Sequence, residues 1–284
     1  MVGPPTKKKG TTVMKKLLAL VLALMMASCT ALALAEDSDL AYIKDKGTLT
    51  MGITLFAPMN YYDGTTLVGF DTELATAVAE KLGVKAEFIE INWDSKEIEL
   101  NSKNIDCIWN GMTITDERKE NMAVSAPYLL NRQAMVMKAD RVADILANVD
   151  GLTVVAEAGS TGEASILGTV TYPDAAVDAK AYFAGCTYIA VDSQAKALME
   201  VKAGTADIAL IDSVAAAGMV GKGTDYADLA LDMSNDFGAQ EYGIAFRKGS
   251  DVCAAVDAAI AELRADGTLD AIAAKYGLTS ELIK

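Results

Sequence analysis

From residue 40 onward, short apolar runs rich in β-branched residues alternate with segments whose apolar positions recur at helical spacing. Residues 48–53 and 84–89 read as strands, and between them Leu74, Val78 and Leu82 recur every fourth residue until Gly83 stops the helix. That is a βαβ unit. Further strands are expected at 105–109, 134–138, 153–156, 187–191, 207–211 and 242–247, separated by helical stretches such as 193–203. Near the C-terminus, Ser250 is placed to cap a helix whose Val252, Val256, Ile260 and Leu263 share one face, and Gly267 ends it. Alternation of this kind builds α/β proteins on mostly parallel sheets. No low-complexity linker divides the chain.

The N-terminus follows another pattern. Lys15 and Lys16 precede the apolar run 17–27, with Met14 available as a start, and small residues follow. Eleven apolar residues fall well short of the roughly 20 that span a bilayer, so residues 1–35 read as an export signal rather than an anchor or a core helix. Two processing sites compete. Ala33-Leu34-Ala35 before Glu36 suits a signal peptidase, whereas Met26-Ala27-Ser28-Cys29 resembles a lipoprotein box that would leave Cys29 lipidated. Either reading puts the mature chain outside the cytoplasm.

With 284 residues, 52% of them hydrophobic, the chain can bury one large core or two modest ones. Its formal charge is −14, and because residues 1–35 hold five lysines and no acid, the remainder is more acidic still. Such a surface repels nucleic acid and anionic lipid. The chain has no histidine, which argues against zinc hydrolases and Ser-His-Asp hydrolases. Beyond the leader lie Cys107, Cys186 and Cys253, an odd number without CxxC spacing. At most one disulfide can form, no metal knuckle is indicated, and Cys107, inside an apolar run, reads as a small core residue. No metal or cofactor is expected.

Two stretches share one local grammar, an Asp ahead of a strand that ends in polar residues: Ile105-Asp106-Cys107-Ile108-Trp109-Asn110 and Ala206-Asp207-Ile208-Ala209-Leu210-Ile211-Asp212. Open α/β sheets bind ligands outside the carboxyl ends of their strands, so Asn110, Gly111, Thr113 and Asp212 become site candidates. Two such edges, about a hundred residues apart, suggest two similar lobes facing each other across a cleft.

A free amino acid needs a guanidinium for its carboxylate and an acid for its ammonium, with hydroxyl or backbone donors around them. Arg118, five residues after Thr113 and in the first turn of an expected helix, supplies the first. Asp212 supplies the second, unless it only caps a helix beginning at Ser213. Gly159-Ser160-Thr161-Gly162 follows a strand and would offer Ser160 and Thr161 hydroxyls and backbone N–H groups at a helix start, while lacking the Gly-Lys-Ser/Thr ending of a P-loop. Phe56 and Trp93 follow strands and would serve as aromatic walls or as ordinary core.

Taken together these residues resemble family 3 of the bacterial solute-binding proteins, the polar-amino-acid receptors of ATP-driven importers, over residues 40–277. The marks are Gly52 and Phe56-Ala57-Pro58-Met59; Leu67-Val68-Gly69-Phe70-Asp71; Asn110-Gly111-Met112-Thr113-Ile114-Thr115 with Arg118; Ser125-Ala126-Pro127-Tyr128; Gly204, Ala206-Asp207 and Asp212; Tyr242-Gly243-Ile244-Ala245; and Lys275-Tyr276-Gly277. The resemblance implies a two-lobe "Venus flytrap" fold. Lobe one would comprise 36–132 and 239–284 and lobe two 133–238, joined by crossover strands near 131–133 and 238–242. It further implies a monomer that hands an L-amino acid, polar or cationic, to a membrane ABC permease. By matching position, Arg118 would bind the ligand carboxylate with help from Asn110, Thr113, Ser160 and Thr161. Asp212 would bind the ammonium, and Phe56 and Trp93 would enclose the side chain. Glu157 stands where the family often has an apolar residue, and would either meet a cationic ligand group or face solvent. Two alternatives use the same cleft: a sensor or adhesion receptor, and a cyclohexadienyl dehydratase-like enzyme with Glu157 or Asp212 as its acid.

Overall fold

The computed structural model describes residues 38–284; the export signal, both processing sites and Cys29 lie outside the described residues. Twelve strands are formed among these: β1 (Thr48–Ile53), β2 (Tyr61–Asp63), β3 (Thr66–Val68), β4 (Lys85–Glu90), β5 (Cys107–Thr113), β6 (Ala123–Val124), β7 (Leu129–Lys138), β8 (Thr153–Glu157), β9 (Thr187–Val191), β10 (Ile208–Asp212), β11 (Leu229–Asp232) and β12 (Ala239–Phe246). The main path runs β4-β1-β5-β12-β7-β10-β8-β9, with β2 and β3 forming a separate hairpin.

The path is two copies of one arrangement placed back to back. At one end β4, β1 and β5 are parallel and β12 runs antiparallel to β5. At the other, β9, β8 and β10 are parallel and β7 runs antiparallel to β10. The halves meet where β7 and β12 pair, from Arg132 with Ala239 to Leu129 with Tyr242. This is the two-lobe α/β architecture, and the two long strands that join the lobes are the expected crossovers.

The helices form where the apolar spacing places them. Phe70–Leu82 buries Leu74, Ala75 and Val78, and Gly83 closes it in a left-handed conformation. Gln194–Ala203 starts on a Ser193 hydroxyl that accepts the Lys196 N–H and stops at Gly204. Val252–Ala265 buries Val252, Val256, Ile260 and Leu263 as read. Its backbone cap is Asp251, one residue later than expected, and the Ser250 hydroxyl accepts only a long bond from Val252 N–H, 3.4 Å. Apolar residues on one face of β1 and both faces of β5 pack one half, and those of β7, β8 and β10 pack the other.

The repeated Asp has a structural explanation. Asp106 Oδ2 accepts from the backbone N–H of Thr50 at 2.8 Å and from Lys46 Nζ at 2.6 Å. Asp207 Oδ2 likewise accepts from Thr153 N–H at 2.9 Å and pairs with Arg141. In each half an acid at the start of one parallel strand therefore ties down an N–H of its neighbour. Cys107 is fully buried in β5, and Cys107, Cys186 and Cys253 are all free thiols.

Candidate functional site

Both sets of parallel strands end toward the same space, and the sequence-nominated residues project from those ends. Strand β5 continues four residues past the expected end at Trp109, so Asn110, Gly111 and Thr113 lie within it rather than beyond it. Phe56 and Trp93 follow β1 and β4, Glu157 ends β8, Ser160 and Thr161 follow it, and Asp212 ends β10. Every one of these residues, with Arg118 and one more, Gln194, lines a single cavity.

Arg118 sits in the short helix Asp116–Asn121, whose Thr115 hydroxyl accepts the Arg118 N–H. Its guanidinium is buried. Nη1 donates to Thr113 O at 2.6 Å, and Nη2 reaches across the cleft to Gly159 O at 3.1 Å. Burial lowers its pKa, opposed by the Tyr172 and Asp212 side chains, but a guanidinium keeps its charge. Two of its five donors are used by carbonyls, and the rest remain for an anion.

Asp212 occupies the backbone cap position of the helix Ser213–Met219, yet its side chain makes no capping bond. Instead Oδ1 accepts from Asn131 Nδ2 and Gln133 Nε2, each at 2.7 Å, and Oδ2 accepts from Gln194 Nε2 at 2.7 Å. The helix-cap reading of its carboxylate is therefore set aside. Burial raises its pKa, and the three amides oppose that rise. The arrangement holds an anion on neutral donors.

Glu157 is 2% exposed, which removes the solvent-facing reading. Neither carboxyl oxygen has a hydrogen-bond partner among the described residues, and Oε1 is fully buried. Burial first, then repulsion by Asp212, pushes its pKa up to about 8 against the opposing pull of Lys96 and Arg118.

The other nominees play different parts. Asn110 spends its amide on the β1 loop: Oδ1 accepts from Thr54 N–H and Oγ1, and Nδ2 donates to Thr54 O and Asn60 Oδ1. It contributes a wall without a spare donor. Gly111 donates its N–H to Asp71 Oδ2 at 2.7 Å and sits at φ +55°, where a Cβ would come within 2.9 Å of Tyr242 Cε2. Thr161 Oγ1 and Thr113 Oγ1 meet across the cleft at 3.2 Å. The Ser160 hydroxyl caps Thr161–Leu167 by accepting Glu163 N–H, and Glu163 reaches back to the Gly159 N–H. Phe56 and Trp93 are both core and wall.

Gln194 and Lys96 are the residues that sequence reasoning passed over. Gln194 follows β9 and its Ser193 cap, a strand-end position equivalent to those that drew notice. Lys96 is 6% exposed; its ammonium donates to Trp93 O at 3.1 Å and, across the cleft, to Gly159 O at 3.0 Å. Burial brings its pKa down to about 8, assisted by the Arg118 charge. Nothing in its local sequence marks it.

The profile of the bacterial extracellular solute-binding proteins, family 3, matches residues 49–279. The chain belongs to that family. This solute-binding protein is 32% identical over 260 residues to the L-cystine-binding protein TcyJ of Escherichia coli, covering 89% of this chain and 91% of that one. It is 34% identical over 248 residues to the L-cystine-binding protein TcyA of Bacillus subtilis, covering 85% and 86% respectively. Among solved structures, an ancestral arginine-binding protein bound to arginine is similar at a TM-score of 0.70 and 33% identity, covering 81% of this chain and 98% of that one. Among the described residues, no helix is long and apolar enough to cross a membrane, and no cluster of His, Cys, Asp or Glu is gathered to hold a metal ion.

Proposed function

We propose that the protein is an extracytoplasmic receptor that closes around a polar or cationic L-amino acid and, as a monomer, presents it to the permease of an ABC importer. One observation carries this reading: a buried guanidinium from one side of the cleft, Arg118, and a buried carboxylate from the other, Asp212, line the same cavity. A zwitterion matches both at once. Its carboxylate takes the free Arg118 donors and its ammonium neutralises Asp212. Thr113 and Thr161 border the carboxylate end, Asn110 and Gly111 shape the floor, and Phe56 and Trp93 enclose the side chain.

On this reading the moving bodies are residues 36–132 with 239–284 and residues 133–238, hinged at the β7–β12 pairing. The binding functions of the relatives, two for cystine and one for arginine, support an amino-acid ligand. The Arg118→Ala variant, tested by calorimetry against the twenty amino acids, ornithine, citrulline and cystine, loses measurable binding while its unfolding transition stays cooperative. Retained affinity overturns the assignment. Turnover of prephenate or arogenate by the wild-type protein would replace the receptor with an enzyme using Glu157 as its acid.

A further inference from the structure

Within the cavity, polar atoms are almost fully committed. Asn110 is spent on Thr54 and Asn60, Asp212 on three amides, Ser160 on its helix, and Thr113 and Thr161 on each other. Apart from the spare Arg118 donors, Glu157 is the exception: a cavity-lining carboxyl, 2% exposed, with no hydrogen bond to either oxygen among the described residues. A buried carboxyl without a partner is disfavoured relative to a solvated one, and a simple zwitterion leaves it unpaired, because its carboxylate and ammonium are already matched by Arg118 and Asp212.

The lattice of the sheet places the spare acid beside the ammonium site. Strands β8 and β10 are parallel neighbours, Val154 against Ile208 and Val155 against Ala209, and Glu157 and Asp212 are their last residues. The charged groups facing Glu157 are Asp212 from β10, Lys96 from the helix Lys96–Asn101, and Arg118 from the helix Asp116–Asn121. Both basic groups already donate to the Gly159 carbonyl, and neither bonds the Glu157 carboxyl. A cationic nitrogen on a ligand in the cavity would supply the partner that no described residue provides.

We infer that Glu157 is the specificity-determining residue of this receptor, selecting amino acids that carry a second cationic nitrogen besides the α-ammonium. This rests on the receptor reading above. The same carboxyl makes no favourable contact with an aliphatic side chain and repels an acidic one, so discrimination works in both directions.

The test is isothermal calorimetry of the dialysed protein with two ligand sets. One set is L-2,4-diaminobutyrate, L-ornithine, L-lysine, L-arginine and L-cystine; the other is their uncharged counterparts L-norvaline, L-norleucine and L-citrulline. The expected result is at least one member of the first set bound about tenfold or more tightly than every member of the second. In Glu157→Gln that ratio falls to near one, with neutral ligands changed by less than about threefold. Preference for uncharged ligands in the wild type overturns the inference without touching the receptor reading, and this arm needs no variant to fold. An equal loss for both sets in Glu157→Gln also overturns it, since Glu157 would then serve the shared α-ammonium. Binding of no amino acid at all, by protein that unfolds cooperatively, overturns the receptor reading itself.

Discussion

Asp71 and Glu157 are carboxyls that folding removes from water, one behind the cavity-lining Gly111 and one in the cavity wall. Asp71 is fully buried beneath Gly111; burial pushes its pKa up to about 7, even though the Gly111 N–H and the Tyr128 hydroxyl both favour its ionised form. Glu157 rises to about 8 for the same first reason, and Asp212 shifts in the same direction. Groups with raised acid pKa values bind protons more tightly in the folded than in the unfolded chain. Their contribution to stability is complete below the unfolded values and is lost as pH rises through the folded ones. The ligand-free protein is therefore expected to show a falling melting temperature between pH 5 and 8, measured by calorimetry; a rise across that window would contradict the burial argument. Lys96, with its pKa lowered to about 8, contributes the opposite slope only above pH 8. Ligand binding carries the complementary signature. A second cationic nitrogen favours ionised Glu157, so dibasic ligands should bind more tightly as pH rises toward 8 and release a proton on binding, readable as a dependence of the binding heat on buffer.

At the scale of elements, the turn after β8 meets the opposite half of the molecule directly. Gly159 stands at φ +69°, and a Cβ there would approach Asp94 Cα to 2.9 Å and Lys96 Nζ to 3.1 Å. Its carbonyl accepts from both Lys96 and Arg118 across the cleft. Gly159→Ala is thus expected to hinder closure more than folding: a loss of about tenfold or more in ligand affinity with cooperative unfolding retained. Gly111 answers to a different constraint. It lies inside β5 with φ +55° and the Tyr242 ring against it, so Gly111→Ala should destabilise the first lobe by about 1–3 kcal/mol, seen as a lower denaturant midpoint with or without ligand. The helices themselves were legible because each Ser cap, left-handed Gly and apolar stripe is a local rule. Strand β5 outran its expected limits because Met112 and Thr113 pair with Gly243 and Tyr242 of β12, and pairing is not a local property.

For the whole molecule, the two halves are tied together across the cleft. The Lys96–Gly159, Arg118–Gly159 and Thr113–Thr161 bonds all span the cleft, and on the receptor reading the hinge is the paired segment of β7 and β12. Removing one latch should shift the population toward the open form. Small-angle scattering of ligand-free Lys96→Met is expected to give a larger radius of gyration than wild type, and saturating ligand should bring the two together. An identical radius in the free proteins would mean that Lys96 does not hold the lobes.

The sequence by itself determined the α/β alternation, the family and all but one, Gln194, of the residues that line the cavity. Strand ends, caps and an Arg placed one turn beyond a strand are written in local order, and open parallel sheets present their carboxyl ends to ligands. Only the tertiary structure decided what those residues have left to offer. Asn110 proved fully committed, Asp212 held by three amides rather than capping a helix, Glu157 buried and unpartnered, and Lys96 drawn in from the other lobe. Hydrogen-bond partnership and burial depend on groups distant along the chain, such as Gln194 with Asp212 or Gly159 with Arg118, and no periodicity or motif records which atoms remain unpaired once the lobes have closed.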